Sequence, residues 1–169
     1  MDKNEIEIER KYIIEMPDVS ALRQFEGFGE SEITQIYLAA PEGVTRRVRR
    51  RVRGDVAEFT QTEKVRIDKM SVIERESEIG ENEYLSLAEG IADGTRPIIK
   101  RRITFVYSDQ LFEIDIYPQW TKTAIMETEL ESRESRAAMP DLIRIIREVT
   151  GEREYSNAAM SKKFPKEDI

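Results

Sequence analysis

Polar and apolar residues alternate along much of this chain with the two-residue period of β-strands. In the stretch 4–15, Glu5, Glu7, Glu9 and Lys11 share one face, while Ile6, Ile8, Arg10 and Tyr12 share the other. The same period marks strand candidates near 33–40, 44–53, 57–67, 71–79, 98–107, 111–117 and 124–131. Connections such as Pro41-Glu42-Gly43, Gly54-Asp55 and Ser108-Asp109-Gln110 are short and turn-like, as antiparallel hairpins require. Helical spacing is rarer: near 18–26, 81–91, 140–149 and 155–163. The third of these opens at Pro140, closes at Gly151 and carries a stripe of Leu142, Ile145, Ile146 and Val149. With no internal repeat or linker, residues 1–169 read as one α+β domain with an eight-stranded antiparallel β-barrel.

The polar faces are sorted by sign, which changes the picture. Residues 44–53 put Arg47, Arg49, Arg51 and Arg53 on one side, opposite Val44, Val48 and Val52. Other strands contribute Lys64, or Lys100 with Arg102; still others carry Glu74, Glu76 and Glu78, Glu113 with Asp115, or Glu127 with Glu129. Solvated faces interleave charges because like neighbours repel, whereas a site for a polyanion held with cations needs both clusters. Arg46 and Arg50 face away, and Arg51 and Arg53 are expected past the end of this charged face.

Composition then limits the chemistry. The chain has no Cys and no His, so thiolate chemistry, the commonest metal ligand and the usual general base are all excluded. Metal binding would fall to carboxylates, which favour hard cations. A net charge of −7 argues against a general nucleic-acid surface. No apolar run is long enough to cross a bilayer and no signal-peptide pattern opens the chain, so a cytoplasmic protein is expected.

The stretch Glu7-Ile8-Glu9-Arg10-Lys11 matches an ExExK signature, followed in order by Gln35-Ile36-Tyr37-Leu38, Arg47-Val48-Arg49, Thr62-Glu63-Lys64, a Glu-x-Glu strand at 74–76, Lys100-Arg101-Arg102, Phe112-Glu113-Ile114-Asp115, Glu127-Thr128-Glu129 and Tyr155-Ser156-Asn157. Taken together, this series resembles the CYTH superfamily, the triphosphate tunnel metalloenzymes. The resemblance implies a barrel enclosing a charged tunnel, with helices packed on the outside and the isoleucines of the first strand in an outer apolar layer beneath them. It implies a metal-dependent hydrolase of triphosphates, most of all inorganic triphosphate, with nucleoside triphosphates as slower substrates. Lys11, Arg47, Arg49, Lys64, Lys100, Arg102 and Arg153 would then bind substrate, and Glu7, Glu9, Glu76, Asp115, Glu127 and Glu129 would hold Mg2+ or Mn2+. Lys11 and Glu9 carry the catalytic assignment. The general base stays open between a metal-held carboxylate and a lysine of lowered pKa such as Lys11.

Two other readings remain: a class IV-type adenylate cyclase on the same barrel, and a polyphosphate or nucleotide sensor without turnover. The implied partner is a small-molecule triphosphate, with no nucleic acid and no membrane. A homodimer is consistent with the family's habit, and the sequence carries no signal of its own for it. The chain departs from the family's pattern at Val72, where an arginine is usual, and in Glu152-Arg153-Glu154-Tyr155, where Asp-Lys-Arg-Tyr is common. The lone Trp120 lies in a turn and is expected to be an apolar anchor.

Overall fold

A computed structural model describes residues 3–167, with the side chains of residues 3–5 excepted, so the expected inward position of Glu5 lies outside the described residues. The strands are β1 (Lys3–Glu15), β2 (Glu26–Leu38), β3 (Val44–Arg53), β4 (Val56–Arg66), β5 (Ser71–Glu78), β6 (Ile98–Tyr107), β7 (Gln110–Ile116), β8 (Thr123–Glu129) and β9 (Ile145–Glu148). The helices are α1 (Val19–Leu22), α2 (Glu81–Ala88) and α3 (Asn157–Lys162), the last preceded by a 3-10 turn at Arg153–Tyr155. Eight strands run in the order β5-β4-β3-β2-β6-β7-β8-β1, and pairing of β1 with β5 closes them into an antiparallel barrel. Closure leaves no free edge along the paired lengths.

Two hairpins show how local chemistry sets the register. Between β6 and β7, Tyr107 pairs with Gln110, and both intervening residues, Ser108 and Asp109, have positive φ (51° and 59°). That is the type I′ geometry whose twist matches the flanking strands, adopted here without glycine. Between β3 and β4, Arg53 pairs with Val56 and Gly54 supplies the positive φ of 58°.

The outer face carries one apolar layer. Tyr12 and Ile14 of β1, Ile103 and Phe105 of β6, Phe112 and Ile114 of β7 and Met126 of β8 pack beneath Leu22 of α1 and Ile143 of the segment before β9. Phe105 stacks on Phe112 at 5.3 Å between ring centroids. Each large side chain buried here contributes about 1.5–3 kcal/mol. On the opposite side α2 lies against β2, β3 and β4, and Tyr84 meets Phe59 at 5.1 Å. No helix among the described residues is long and apolar enough to cross a membrane.

The structure corrects three expectations. Residues 140–149 are not a helix: 145–148 form β9, which pairs with Tyr12, Ile13 and Ile14. β1 pairs with β5 only through Ile8, so the backbone beyond it would be left without partners, and β9 covers that edge. The Val149 amide completes the cover by donating to the Lys11 carbonyl at 2.8 Å. The helix expected over 18–26 is a single turn, because β2 already begins at Glu26. Ile6 is 66% exposed and not under a helix, since α1 and the 137–143 segment cover only the far half of β1. Near the C-terminus, α3 lies across one end of the barrel and contributes Asn157, Ala158, Ala159 and Lys162 to the lining of its interior.

Candidate active site

The barrel interior answers which face of each strand is inside. Alternate residues Glu7, Glu9 and Lys11 of β1 line a cavity of about 810 Å3, and the same parity brings in Arg47, Arg49 and Arg51 of β3, Glu74 and Glu76 of β5, and Glu127 and Glu129 of β8. Continuing inward along the strands, the parity turns apolar: Ile13, Tyr37, Ile98, Tyr117 and Ile125 meet Val149, Tyr155 and Met160 in a second cluster that plugs one end. Trp120 is part of this plug, edge-on to Tyr117 at 5.8 Å, with its indole N–H donating to the Pro165 carbonyl at 3.1 Å. It is the apolar anchor the sequence implies. Tyr155 packs in the same cluster, and Asn157 accepts from the Tyr117 hydroxyl at 2.7 Å.

Strand order divides the cavity wall into two halves. The run β4-β3-β2-β6 presents Lys64 and Arg66, three arginines of β3, and Arg102; the run β7-β8-β1-β5 presents Glu113, Glu127, Glu129, Glu7, Glu9, Glu74 and Glu76, with Lys11 as its one cation among the described residues. A cationic half therefore faces an acidic half across one cavity.

The acidic half is overcrowded. Burial, a hydrogen bond to Glu74 and the charges of Glu74 and Glu129 push Glu7 up to about 9, although Lys64 opposes them. Glu74 is the partner that keeps its charge: burial opposes ionisation, but the Glu7 proton and the Lys64 and Arg47 charges hold it at about 2. The charge of Glu127, then burial, raises Glu9. Burial and Glu113 raise Glu129, and burial and the contact with Glu74 raise Glu76.

Lys11 lies 3.1 Å from Glu127 and also donates to the Tyr155 carbonyl at 3.1 Å. Burial would strip its proton, yet Glu127 and Glu9 outweigh that and raise its pKa. A lysine base of lowered pKa is therefore not what the geometry gives; Lys11 is a fixed cation.

Not every expected residue reaches the cavity. Lys100 and Asp115 are buried at its floor, next to the plug, 2.6 Å apart. Asp115 also takes Arg102 Nε at 2.7 Å and Nη2 at 2.9 Å, so its oxygens are occupied by cations. Despite burial, these cations keep Asp115 ionised far below the usual range, whereas burial lowers Lys100. The pair locks Arg102, which lines the cavity and holds Glu113 at 2.6 Å. Arg153 lines the cavity from the 3-10 turn, and Lys64 bridges Glu7 at 3.5 Å and Glu74 at 3.4 Å. Arg51, expected beyond the charged face, lines the cavity, while Arg53 and Glu78 are exposed.

No three carboxylates among the described residues converge closely enough to grip a metal alone. Paired carboxylates such as Glu9 and Glu129, directly opposite in register, fit a hard cation that completes its shell with phosphate oxygens and water. A cation bound there would favour the ionised form of the raised carboxylates, and the buried Nε of Arg47 has no hydrogen-bond partner among the described residues, as expected of a wall built for an anion.

No family model matches the sequence, and no curated protein is significantly similar to it. Solved structures do match. The inorganic triphosphatase NE1496 aligns over 95% of this chain and 97% of its own, with a TM-score of 0.59 and 25% identity. The barrel is the triphosphate-tunnel fold. PH1819 from Pyrococcus horikoshii OT3 shares that fold at 23% identity and a TM-score of 0.56, over 76% of this chain and 80% of its own. So does HpAC1 from Hippeastrum, considered an adenylyl cyclase and found to have a dominant triphosphatase activity, at 17% identity and a TM-score of 0.55, over 76% of this chain and 81% of its own.

Proposed function

We propose that this protein hydrolyses inorganic triphosphate with the help of Mg2+ or Mn2+, and nucleoside triphosphates more slowly. The observation that carries the proposal is the division of one cavity into a cationic and an acidic half. A triphosphate chain lies against Arg47, Arg49 and Arg51, whose forked donors suit phosphoryl oxygens, with Lys64, Arg102 and Arg153 as point or peripheral charges. Its charge is balanced from the other half, where Glu7, Glu9, Glu127 and Glu129 would hold the cation. Bound there, the ion supplies charge neutralisation and Lewis-acid activation. Similarity to NE1496 supports the substrate.

The chain's own residues account for the remaining requirements of phosphoryl transfer: placement and charge stabilisation. Lys11 stays protonated and stabilises charge on the transferring phosphoryl group. Glu9, its pKa raised by the charge of Glu127 and then by burial, is the carboxylate assigned to take the proton of an attacking water. Water oxygen forms a bond to the terminal phosphorus as the bridging P–O bond breaks, giving phosphate and pyrophosphate. Asp115 and Lys100 act from behind, by fixing Arg102.

The test is phosphate release from inorganic triphosphate and from ATP, each with Mg2+, Mn2+ or chelator, with products separated by chromatography. Metal-dependent formation of phosphate and pyrophosphate is expected. Cyclic AMP from ATP would replace the hydrolase with a cyclase, and binding without turnover would replace it with a sensor.

A further inference from the structure

β2 lies between the two most cationic strands, β3 and β6, and its inward residues are all uncharged: Ser31, Ile33, Gln35 and Tyr37, each buried. Two of them support arginines directly. Gln35 sits opposite Arg49, and its Oε1 accepts from Arg49 Nε at 2.9 Å and Nη2 at 2.5 Å. Ser31 Oγ accepts from Arg51 Nε at 3.2 Å. Tyr37 lies opposite Arg47 and receives the Gln35 amide at 3.3 Å.

β6 is treated differently. Arg102 is gripped by Asp115 and Glu113, so its charge is largely spent inside the protein. Among the described residues, Arg47, Arg49 and Arg51 make no ion pair with a carboxylate. Three like charges sit on alternate positions of one strand with no carboxylate in direct contact, and burial, then the neighbouring Arg47 and Arg102, push Arg49 down to about 9. A buried wall of this kind is costly for an empty protein. An acidic β2 would relieve it by pairing.

We infer that Gln35 is a positioning residue whose neutrality is its function: with Ser31 and Tyr37 it aims the β3 arginines while leaving their charge for the phosphate chain. This rests on the triphosphate reading above. A carboxylate in place of Gln35 would accept the same two hydrogen bonds from Arg49 but would also cancel its charge. The substitution should therefore stabilise the empty barrel and weaken anion binding at once.

The experiment compares wild type, Gln35→Glu and Ser31→Asp by calorimetric titration with inorganic triphosphate, by thermal unfolding without ligand, and by kcat and KM. Gln35→Glu should keep or raise the melting temperature while triphosphate affinity falls about tenfold, the worth of one charge-assisted contact, with the loss in KM more than in kcat. Ser31→Asp should repeat this at Arg51 and decides the matter if Gln35→Glu does not fold. Unchanged affinity in the folded variants would overturn the inference, as would stability and affinity falling together, the sign of a purely structural role. If wild type itself does not bind triphosphate, the triphosphate reading fails first and the inference with it.

Discussion

Lys11 Nζ and Glu127 Oε1 are 3.1 Å apart, on strand positions directly opposite each other, and the same ammonium holds the Tyr155 carbonyl of the apolar plug. The contact joins the acidic half of the cavity to the element that closes its end. Lys11→Met should lower kcat by about a hundredfold or more, the typical loss when a preorganised charge is removed from a transferring group. Stability should fall by only about 1–2 kcal/mol, less than for a fully buried pair, because cavity water still reaches Glu127. Steady-state kinetics and urea unfolding of the same variant check both.

Glu7 ties stability to pH in an unusual direction. Its folded-state pKa, about 9, lies above the ordinary 4.5, so the folded protein binds a proton that the unfolded chain releases. That contribution is complete below about pH 4.5 and is lost as pH rises toward 9. Glu9, Glu76 and Glu129, also raised, act in the same direction. Glu127 and Glu74, held near 2, lose their contribution only as pH falls below the ordinary carboxylate range. Metal-free protein should thus melt at lower temperature at pH 8.5 than at pH 5.5. Glu7→Gln should flatten that slope and raise the melting temperature at pH 8.5, while impairing metal-dependent turnover.

Arg47 has no internal hydrogen-bond partner for its buried Nε. Arg47→Ala should raise KM for triphosphate roughly ten- to a hundredfold, the equivalent of about 1.5–3 kcal/mol for charged hydrogen bonds. Because Arg47 also helps hold Glu74 ionised, the empty variant should melt slightly lower than wild type, while the loss in KM is far larger. Kinetics beside thermal unfolding separate these effects.

The interior was legible because strand parity and charge sign coincide: Glu7, Glu9, Lys11, Arg47 and Arg49 each fall on the inward register. Three features were not. Leu142, Ile145, Ile146 and Val149 have helical spacing, yet Ile145 and Ile146 remain 41% and 37% exposed in a strand recruited by the unpaired edge of β1. Only the long-range topology, not local periodicity, contains that demand. Lys100 and Asp115 share the inward parity of Arg102 and Glu113, but parity does not give depth, and the plug begins at their level. Gln35, being neutral, carried no charge signal; its place in the stretch Gln35-Ile36-Tyr37-Leu38 and its parity with Tyr37 were the clues available.

The plug should be a large reservoir of stability. Trp120 is 3% exposed and touches Tyr117, Tyr155 and Phe164. Trp120→Ala should cost about 3–5 kcal/mol. Denaturant unfolding gives the loss, and the α3 amides should lose hydrogen-exchange protection first, since this short helix is held by that cluster.

The most direct test of the account is a crystal structure with inorganic triphosphate and Mn2+, collected for anomalous scattering from manganese. The account predicts the phosphate chain inside the barrel against Arg47, Arg49 and Arg51, with manganese on the opposite side, bound by carboxylates from the Glu7, Glu9, Glu127 and Glu129 set. A phosphate chain outside the barrel, or manganese bound away from those carboxylates, would contradict it.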